Sequence, residues 1–191
     1  MIIVGLDIST STTGMCVIDS TVQLNGACIS PMGLPPHVMV LDRVELQKCK
    51  TIWEKADKVR KALEYIRDEL HLKIEHIAVE EPMMGFRAGK SSAQTISLLM
   101  RFNGIVSYVA REVFACDPEY VSVAHARKLC GIKLQRTAIG GPQKEQAFAY
   151  MQEHDLKDVQ WPLKKNGKIV DWSRDANDAY VIAHASALMN T

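Results

Sequence analysis

The chain has no apolar stretch long enough to span a bilayer, which argues against a transmembrane helix. No basic segment precedes a cleavable apolar one. Met1 leads directly into a strand-like run, so no signal peptide is expected. The five cysteines, Cys16, Cys28, Cys49, Cys116 and Cys130, are odd in number and show no CxxC spacing. They read as reduced thiols in a cytoplasmic setting, mostly core filler. The six histidines form no ligand pair with them, which argues against zinc. No internal repeat or low-complexity linker is visible. The formal net charge is only +1, too small to announce a nucleic-acid partner. What remains is a chain of 191 residues with 47% hydrophobic content, the profile of one domain, residues 1–191, with a substantial core.

The hydrophobic pattern predicts a mixed order of strands and helices. Ile2 to Ile8 is a near-continuous apolar strand, as expected in a buried sheet position. Gly14 to Asp19 follows after a short polar connection and should pair with it as a hairpin. Residues 23–36 read as an irregular loop rich in proline and glycine, and Val38 to Leu46 as a third strand. Thr51 to Leu70 is the clearest helix: Ile52, Ala56, Val59, Leu63, Ile66 and Leu70 recur at steps of four and three. A fourth strand, Ile74 to Glu80, stops before Pro82. Ser91 to Phe114 reads as a long helix that Asn103-Gly104 weakens or kinks. Tyr120 to Val123 is a short fifth strand. A helix follows Gly140-Gly141-Pro142 as far as about His154, with Pro142 in its first turn. Ser173 is the expected N-cap of a last helix reaching about Met189. Such an alternation packs as an α/β layered domain, and its opening β-β-β-α-β-α-β order is that of the ribonuclease H-like fold, a mixed five-stranded sheet flanked by helices.

Four carboxylates stand out against this frame. Asp7 ends the first strand and Glu80 the fourth, while Asp175 and Asp178 share one face of the last helix by their i, i+3 spacing. An acid at a strand end is ordinarily a surface loop residue, but the apolar run before Asp7 aims it at the carboxyl edge of the sheet, where α/β proteins place ligands. Acids also favour a helix N-terminus for the dipole alone. That explains one of Asp175 and Asp178, but not why both open a helix of small residues able to pack close to a sheet. Crowded carboxylates repel unless cations neutralise them. Mg²⁺ prefers such hard oxygen ligands, and two metals about 4 Å apart are a common device for in-line cleavage of a phosphodiester. The pattern therefore points to a nuclease. If the four acids are metal-bound, the remaining 18 acidic residues (22 less the four) face 23 basic ones, a modest bias towards phosphate.

The sequence resembles the RuvC-type Holliday junction resolvases of the ribonuclease H-like superfamily, with divergent and phage-like features. Val4-Gly5-Leu6-Asp7 and Thr13-Gly14-Met15-Cys16-Val17-Ile18 are similar to that family's first hairpin, Ile77-Ala78-Val79-Glu80 to its second acidic motif, and Asp175-Ala176-Asn177-Asp178-Ala179 to its closing helix. Asp7-Ile8-Ser9-Thr10 departs from the usual Asp-Pro-Gly-Ser. The 23–36 loop looks lengthened, and residues 161–172 look like an insertion whose Lys165-Asn166-Gly167-Lys168 is a hairpin signal. The resemblance implies a Mg²⁺-dependent, structure-selective DNA endonuclease with two Mg²⁺ per active site, for which Mn²⁺ can substitute. Asp7, Glu80, Asp175 and Asp178 would be its metal ligands and catalytic acids, leaving a 5′ phosphate and a 3′ hydroxyl. It places the acid directly after the apolar residue, favouring Glu80 over Glu81; a strand alternates faces, so only one of the two can point at Asp7.

The family also carries a functional lysine in a place comparable to Lys144, which makes Lys144 a phosphate contact or transition-state stabiliser, against the plain reading of a solvated lysine. Phe86 lies on a loop where resolvases use a bulky residue to stack or wedge at the junction; packing against the core is the competing reading. Arg87, Lys90, Lys133 and Arg136 flank the motifs and are candidates to grip DNA backbone together with Lys144. Expected partners are branched DNA, four-way or else three-way or flap, and a second copy of the chain, since two symmetric nicks call for a two-fold pair of sites; the Ser91 to Phe114 helix is the candidate interface. No membrane partner is expected, and the compartment would be the cytoplasm, the host's if the chain is phage-encoded.

Two other classes compete. Leu6 to Gly14 also resembles the phosphate-binding hairpin of actin-like kinases and ATPases, although 191 residues are too few for the duplicated domain that encloses ATP and the Asp175/Asp178 pair would have no clear role. A catalytically silent DNA-binding or assembly protein is the third reading; the intact acidic set argues against it.

Overall fold

A computed structural model describes residues 1–22, 33–82 and 92–190. Five strands form one mixed sheet: β1 (Ile2–Ile8), β2 (Thr12–Asp19), β3 (Val38–Glu45), β4 (His76–Glu80) and β5 (Pro118–Val121), in the order β3-β2-β1-β4-β5. The first three pair antiparallel, while β4 and β5 run parallel to β1. β1 is central, which is why its sequence is apolar on both faces.

Helices α1 (Ile52–Asp68) and α2 (Ala93–Phe114) cover one face. Ala56, Val59, Leu63 and Ile66 of α1 pack there with Val4, Leu6, Val17 and Val79. The Thr51 hydroxyl accepts from the Glu54 amide at 3.1 Å and caps α1. α1 ends before Leu70, which is left exposed, because the chain turns through a left-handed His71. α2 runs without interruption through Asn103-Gly104: Asn103 is buried and donates to the Glu80 carbonyl at 3.2 Å, which anchors the helix at the point where a kink was expected.

The other face carries α6 (Ser173–Met189), with α3 (Val123–Leu129) and α5 (Gln143–Glu153) packed beside it and α4 (Thr137–Gly140) a single turn. The fifth strand lies two residues upstream of its expected place. As an edge strand it tolerates Pro118, and Val123 already begins α3. Pro142 takes the N-cap position of α5 rather than its first turn. Ser173 is not the cap of α6 but its first residue; its hydroxyl donates instead to the Val170 carbonyl at 2.7 Å, and Trp172 occupies the cap position. In the 161–172 segment Leu163 bridges Ile169, but only Gly167 has positive φ, at 75°. The connection is thus a bulged turn, with the Gly167 amide donating to the Lys164 carbonyl at 2.9 Å, rather than the two-residue turn that Asn-Gly suggests.

Two glycines set the spacing of the α6 layer. Gly5 and Gly14 face α6, and a Cβ on either would overlap backbone, the Ala179 carbonyl oxygen for Gly5 and the Asp175 carbonyl oxygen for Gly14. With Ala176, Ala179 and Ala183 fully buried, the helix axis comes down almost onto β1 and β2. Farther along, a buried polar knot fixes α6: the Tyr180 hydroxyl donates to Asp155 at 3.0 Å and lies 3.0 Å from His37 Nε2 and 2.9 Å from His184 Nδ1.

Candidate active site

Asp7 sits at the carboxyl end of β1, opposite Gly14, with its side chain on the α6 side of the sheet. β4 is in register beside β1, Leu6 against Val79, which places Glu80 next to Asp7 on the same face. Glu81 lies beyond the strand and is exposed; its amide donates to the Val121 carbonyl at 3.0 Å. The close approach at Gly14 brings the first turns of α6 over this edge, so Asp175 and Asp178 arrive from above. Asp178 is almost fully buried and Asp7 nearly so.

Lys144, in the first turn of α5, lies between them. Its ammonium stands 3.2 Å from Asp7 Oδ2, 2.7 Å from Asp175 Oδ1 and 3.0 Å from Asp178 Oδ2. Burial pulls its pKa down, but the charges of Asp7, Asp178 and Asp175 outweigh that and hold it above the ordinary lysine value. Glu80 is pushed up to about 9, by burial first and then by the charge of Asp7 and a hydrogen bond to it. Asp7 is raised by burial, with Lys144 opposing. Glu80 therefore holds its proton and donates to Asp7, and the one ammonium of Lys144 is shared among Asp7, Asp175 and Asp178.

Among the described residues, no group of three or more His, Cys, Asp or Glu is arranged to hold a metal ion as it stands. The chemistry of the donor set nonetheless fits a hard cation. All four acids offer oxygen, Asp178 Oδ1 is buried with no hydrogen-bond partner, and the Lys144 ammonium marks the place as one where positive charge is stabilised. Asp7, Glu80, Asp175 and Asp178 are the residues that would hold Mg²⁺.

Pattern reading missed Arg127. It lies on the seven-residue α3, is 9% exposed, and brings Nη2 to 3.5 Å from Asp178 Oδ1, an ion pair too long for a hydrogen bond. Ser122 followed by Val123 and Ala126 was the available signal, a potential cap before a short apolar stripe. α3 walls a cleft of about 820 Å³ that opens from Asp7, Glu80 and Asp178 and is lined by Arg127, Lys128, Lys133 and Lys144. Lys133 thus reaches the cleft, whereas Arg136 caps the one-turn α4 and is not among its lining residues. Phe86, Arg87 and Lys90 lie outside the described residues.

The 161–172 segment buttresses this edge. Trp172 packs edge-on to Trp161 with ring centroids 6.0 Å apart, Trp161 meets Phe148 of α5 at 5.5 Å, and Arg43 of β3 lies 4.1 Å over the Trp172 ring.

Residues 34–182 match the model of the family DUF3882, described as Lactococcus phage M3 protein. The chain belongs to this family. No curated protein matches the sequence. Among solved structures the chain is similar to RuvC of Thermus thermophilus, with a TM-score of 0.58 at 16% identity over 100% of this chain and 95% of that one. It is also similar to T. thermophilus RuvC in complex with a Holliday junction substrate, with a TM-score of 0.60, 13% identity and the same coverage. The yeast mitochondrial Holliday junction resolvase follows, with a TM-score of 0.52 and 11% identity, covering 98% of this chain and 80% of that one. This member of the phage family therefore has the RuvC, ribonuclease H-like fold. No helix among the described residues is long and apolar enough to cross a membrane.

Proposed function

We propose that this protein is a Mg²⁺-dependent, structure-selective endonuclease that nicks branched DNA, four-way junctions foremost. The observation that carries the proposal is the convergence of Asp7, Glu80, Asp175 and Asp178 around Lys144 at the mouth of a basic cleft. The shared fold adds to it, since T. thermophilus RuvC is known with a Holliday junction bound. When bound, Mg²⁺ supplies charge neutralisation for the phosphate and activation for the attacking water. The acids hold and orient the hydrolytic centre. Lys144 can move from the carboxylates to a non-bridging phosphate oxygen and stabilise the charge that develops there. Lys128 and Lys133 contact the DNA backbone along the cleft, with Arg136 beyond it. Mn²⁺ shares the preference for oxygen donors and can replace Mg²⁺.

The protein acts as a homodimer in this proposal, because paired nicks at a four-way junction need two sites related by symmetry. The outward side of α2 supports it: Leu98, Met100 and Tyr108 are exposed on a helix otherwise used to close the core. Sedimentation of the free protein and of the protein with junction DNA tests this, and a monomer at micromolar concentration in both would overturn it.

The test of function is a panel of labelled four-way, three-way, flap and linear DNAs incubated with purified protein and Mg²⁺. Nicks near the branch point are expected, absent without divalent cation. ATP hydrolysis without cleavage would favour the actin-like alternative, and tight junction binding without any cut the silent one.

A further inference from the structure

Lys144 and Glu145 are consecutive in the first turn of α5, and Arg174 and Asp175 are consecutive in the first turn of α6. They pair crosswise. Lys144 meets Asp175 at 2.7 Å, while the Arg174 guanidinium grips the Glu145 carboxylate through Nε at 3.2 and 3.1 Å and Nη2 at 2.9 Å. Arg174 is itself held from three sides. Its Nη1 donates to the Val170 carbonyl at 3.2 Å and to the Ser173 hydroxyl at 3.0 Å, and its guanidinium lies 4.5 Å over the Phe148 ring of α5. The side chain is 21% exposed, far less than a free surface arginine.

The two pairs cannot have the same fate. Any cation entering among the acids competes with the Lys144 ammonium for Asp7, Asp175 and Asp178. Once Lys144 leaves, one of the two ties between the start of α5 and the start of α6 is gone, and the tie through Glu145 is untouched because neither of its partners belongs to the acidic site. We propose that Glu145 and Arg174 form a positioning pair that keeps the α5 N-terminus docked while Lys144 exchanges the carboxylates for the substrate phosphate. This rests on the metal-dependent reading of the site.

The measurements are Mg²⁺ affinity of the DNA-free protein by calorimetry and single-turnover junction cleavage at saturating Mg²⁺. In Glu145→Gln, α5 is released together with Lys144. The ammonium competes less, so Mg²⁺ should bind about threefold tighter, while cleavage should fall roughly tenfold because the lysine is no longer held at the phosphate. The opposite signs are the signature, since a loosened fold would weaken both. Reversing the pair, Glu145→Arg with Arg174→Glu, should recover most of each change, and Glu145→Gln should add nothing in a Lys144→Met background. Weaker Mg²⁺ binding in Glu145→Gln, no change in either quantity, or effects additive with Lys144→Met would each overturn the proposal. If the wild-type protein cuts no branched DNA, the nuclease reading fails, yet the Mg²⁺ affinities still decide whether Glu145 acts through Lys144.

Discussion

Replacing Gly14 by alanine tests whether the approach of α6 to the sheet builds the site. The added methyl would overlap the Asp175 carbonyl oxygen and stand only 3.0 Å from the Ala176 nitrogen. Both are backbone atoms, so no side-chain rotation relieves the clash, and the first turn of α6 has to retreat by roughly 1.5 Å to restore ordinary contact. Overpacking of this kind costs about 1–3 kcal/mol, and the upper end is expected because helix and strand must part together. The same shift carries Asp175 and Asp178 away from Asp7, and an error of about 1 Å at reacting groups is worth about 10²-fold in rate. Urea unfolding should show the lost stability, and single-turnover junction cleavage well below the melting temperature should show the lost rate. Gly104→Ala is the control. It lies in α2 with open space where the methyl goes, and in urea unfolding it should gain about 0.5–1 kcal/mol where Gly14→Ala loses stability. A Gly14→Ala protein that unfolds later than expected but cuts at the wild-type rate would show that the contact does not set the geometry of the acids.

Asp178→Asn should keep fold and junction binding, because the amide fits the same buried position and backbone contacts elsewhere supply the affinity, but reduce cleavage to background; adding Asp7→Asn should cost little more, since the acids act as a unit. Cleavage at the wild-type rate would remove Asp178 from the site. The metal-free protein should lose stability as pH rises from about 4.5, where Glu80 ionises in the unfolded chain, towards about 9, where it ionises in the folded one, because the native state holds the extra proton throughout that window. Lys144, raised in the fold, contributes fully below the unfolded lysine value and leaves the trend intact. Since Mg²⁺ favours ionised Glu80, the melting-temperature gain from Mg²⁺ should be larger at about pH 8.5 than at about pH 6; equal gains would contradict the placement of Glu80. Tyr180→Phe removes the hydroxyl that His37, Asp155 and His184 share, and should cost about 1–3 kcal/mol in denaturant unfolding with little effect on junction affinity.

The parts legible in the sequence were those with strong periodicity or with chemistry tied to a strand end. The apolar run of β1, the stripe of α1 and the i, i+3 acids of α6 each carry a local signal, and the structure sets Asp7, Glu80, Asp175 and Asp178 on a shared edge. What stayed hidden depends on contacts between distant segments. α3 is seven residues long, too short for a helical period to stand out, so only the faint signal of Ser122 before Val123 and Ala126 pointed to Arg127. Lys144 could be placed near phosphate but not among the acids, because nothing local in α5 records where α6 lies. Gly5 and Gly14 look like ordinary strand interruptions until the helix that needs their missing side chains is in view. The β5 boundary slipped because Val123 is as apolar as the strand before it, and only the switch to a helical backbone after the extended Ser122 separates them.

The site joins the first strand of the chain to its last helix. β1 and β2 can form their hairpin early in synthesis, but the face that bears Asp7, Ile3 and Cys16 stays bare until the 17 residues of α6 have left the ribosome. No shortened translation product that lacks α6 can hold more than half of the acids, since Asp175 and Asp178 both lie on it. An enzyme that cuts DNA would stay unarmed until α6 had emerged and folded onto β1 and β2.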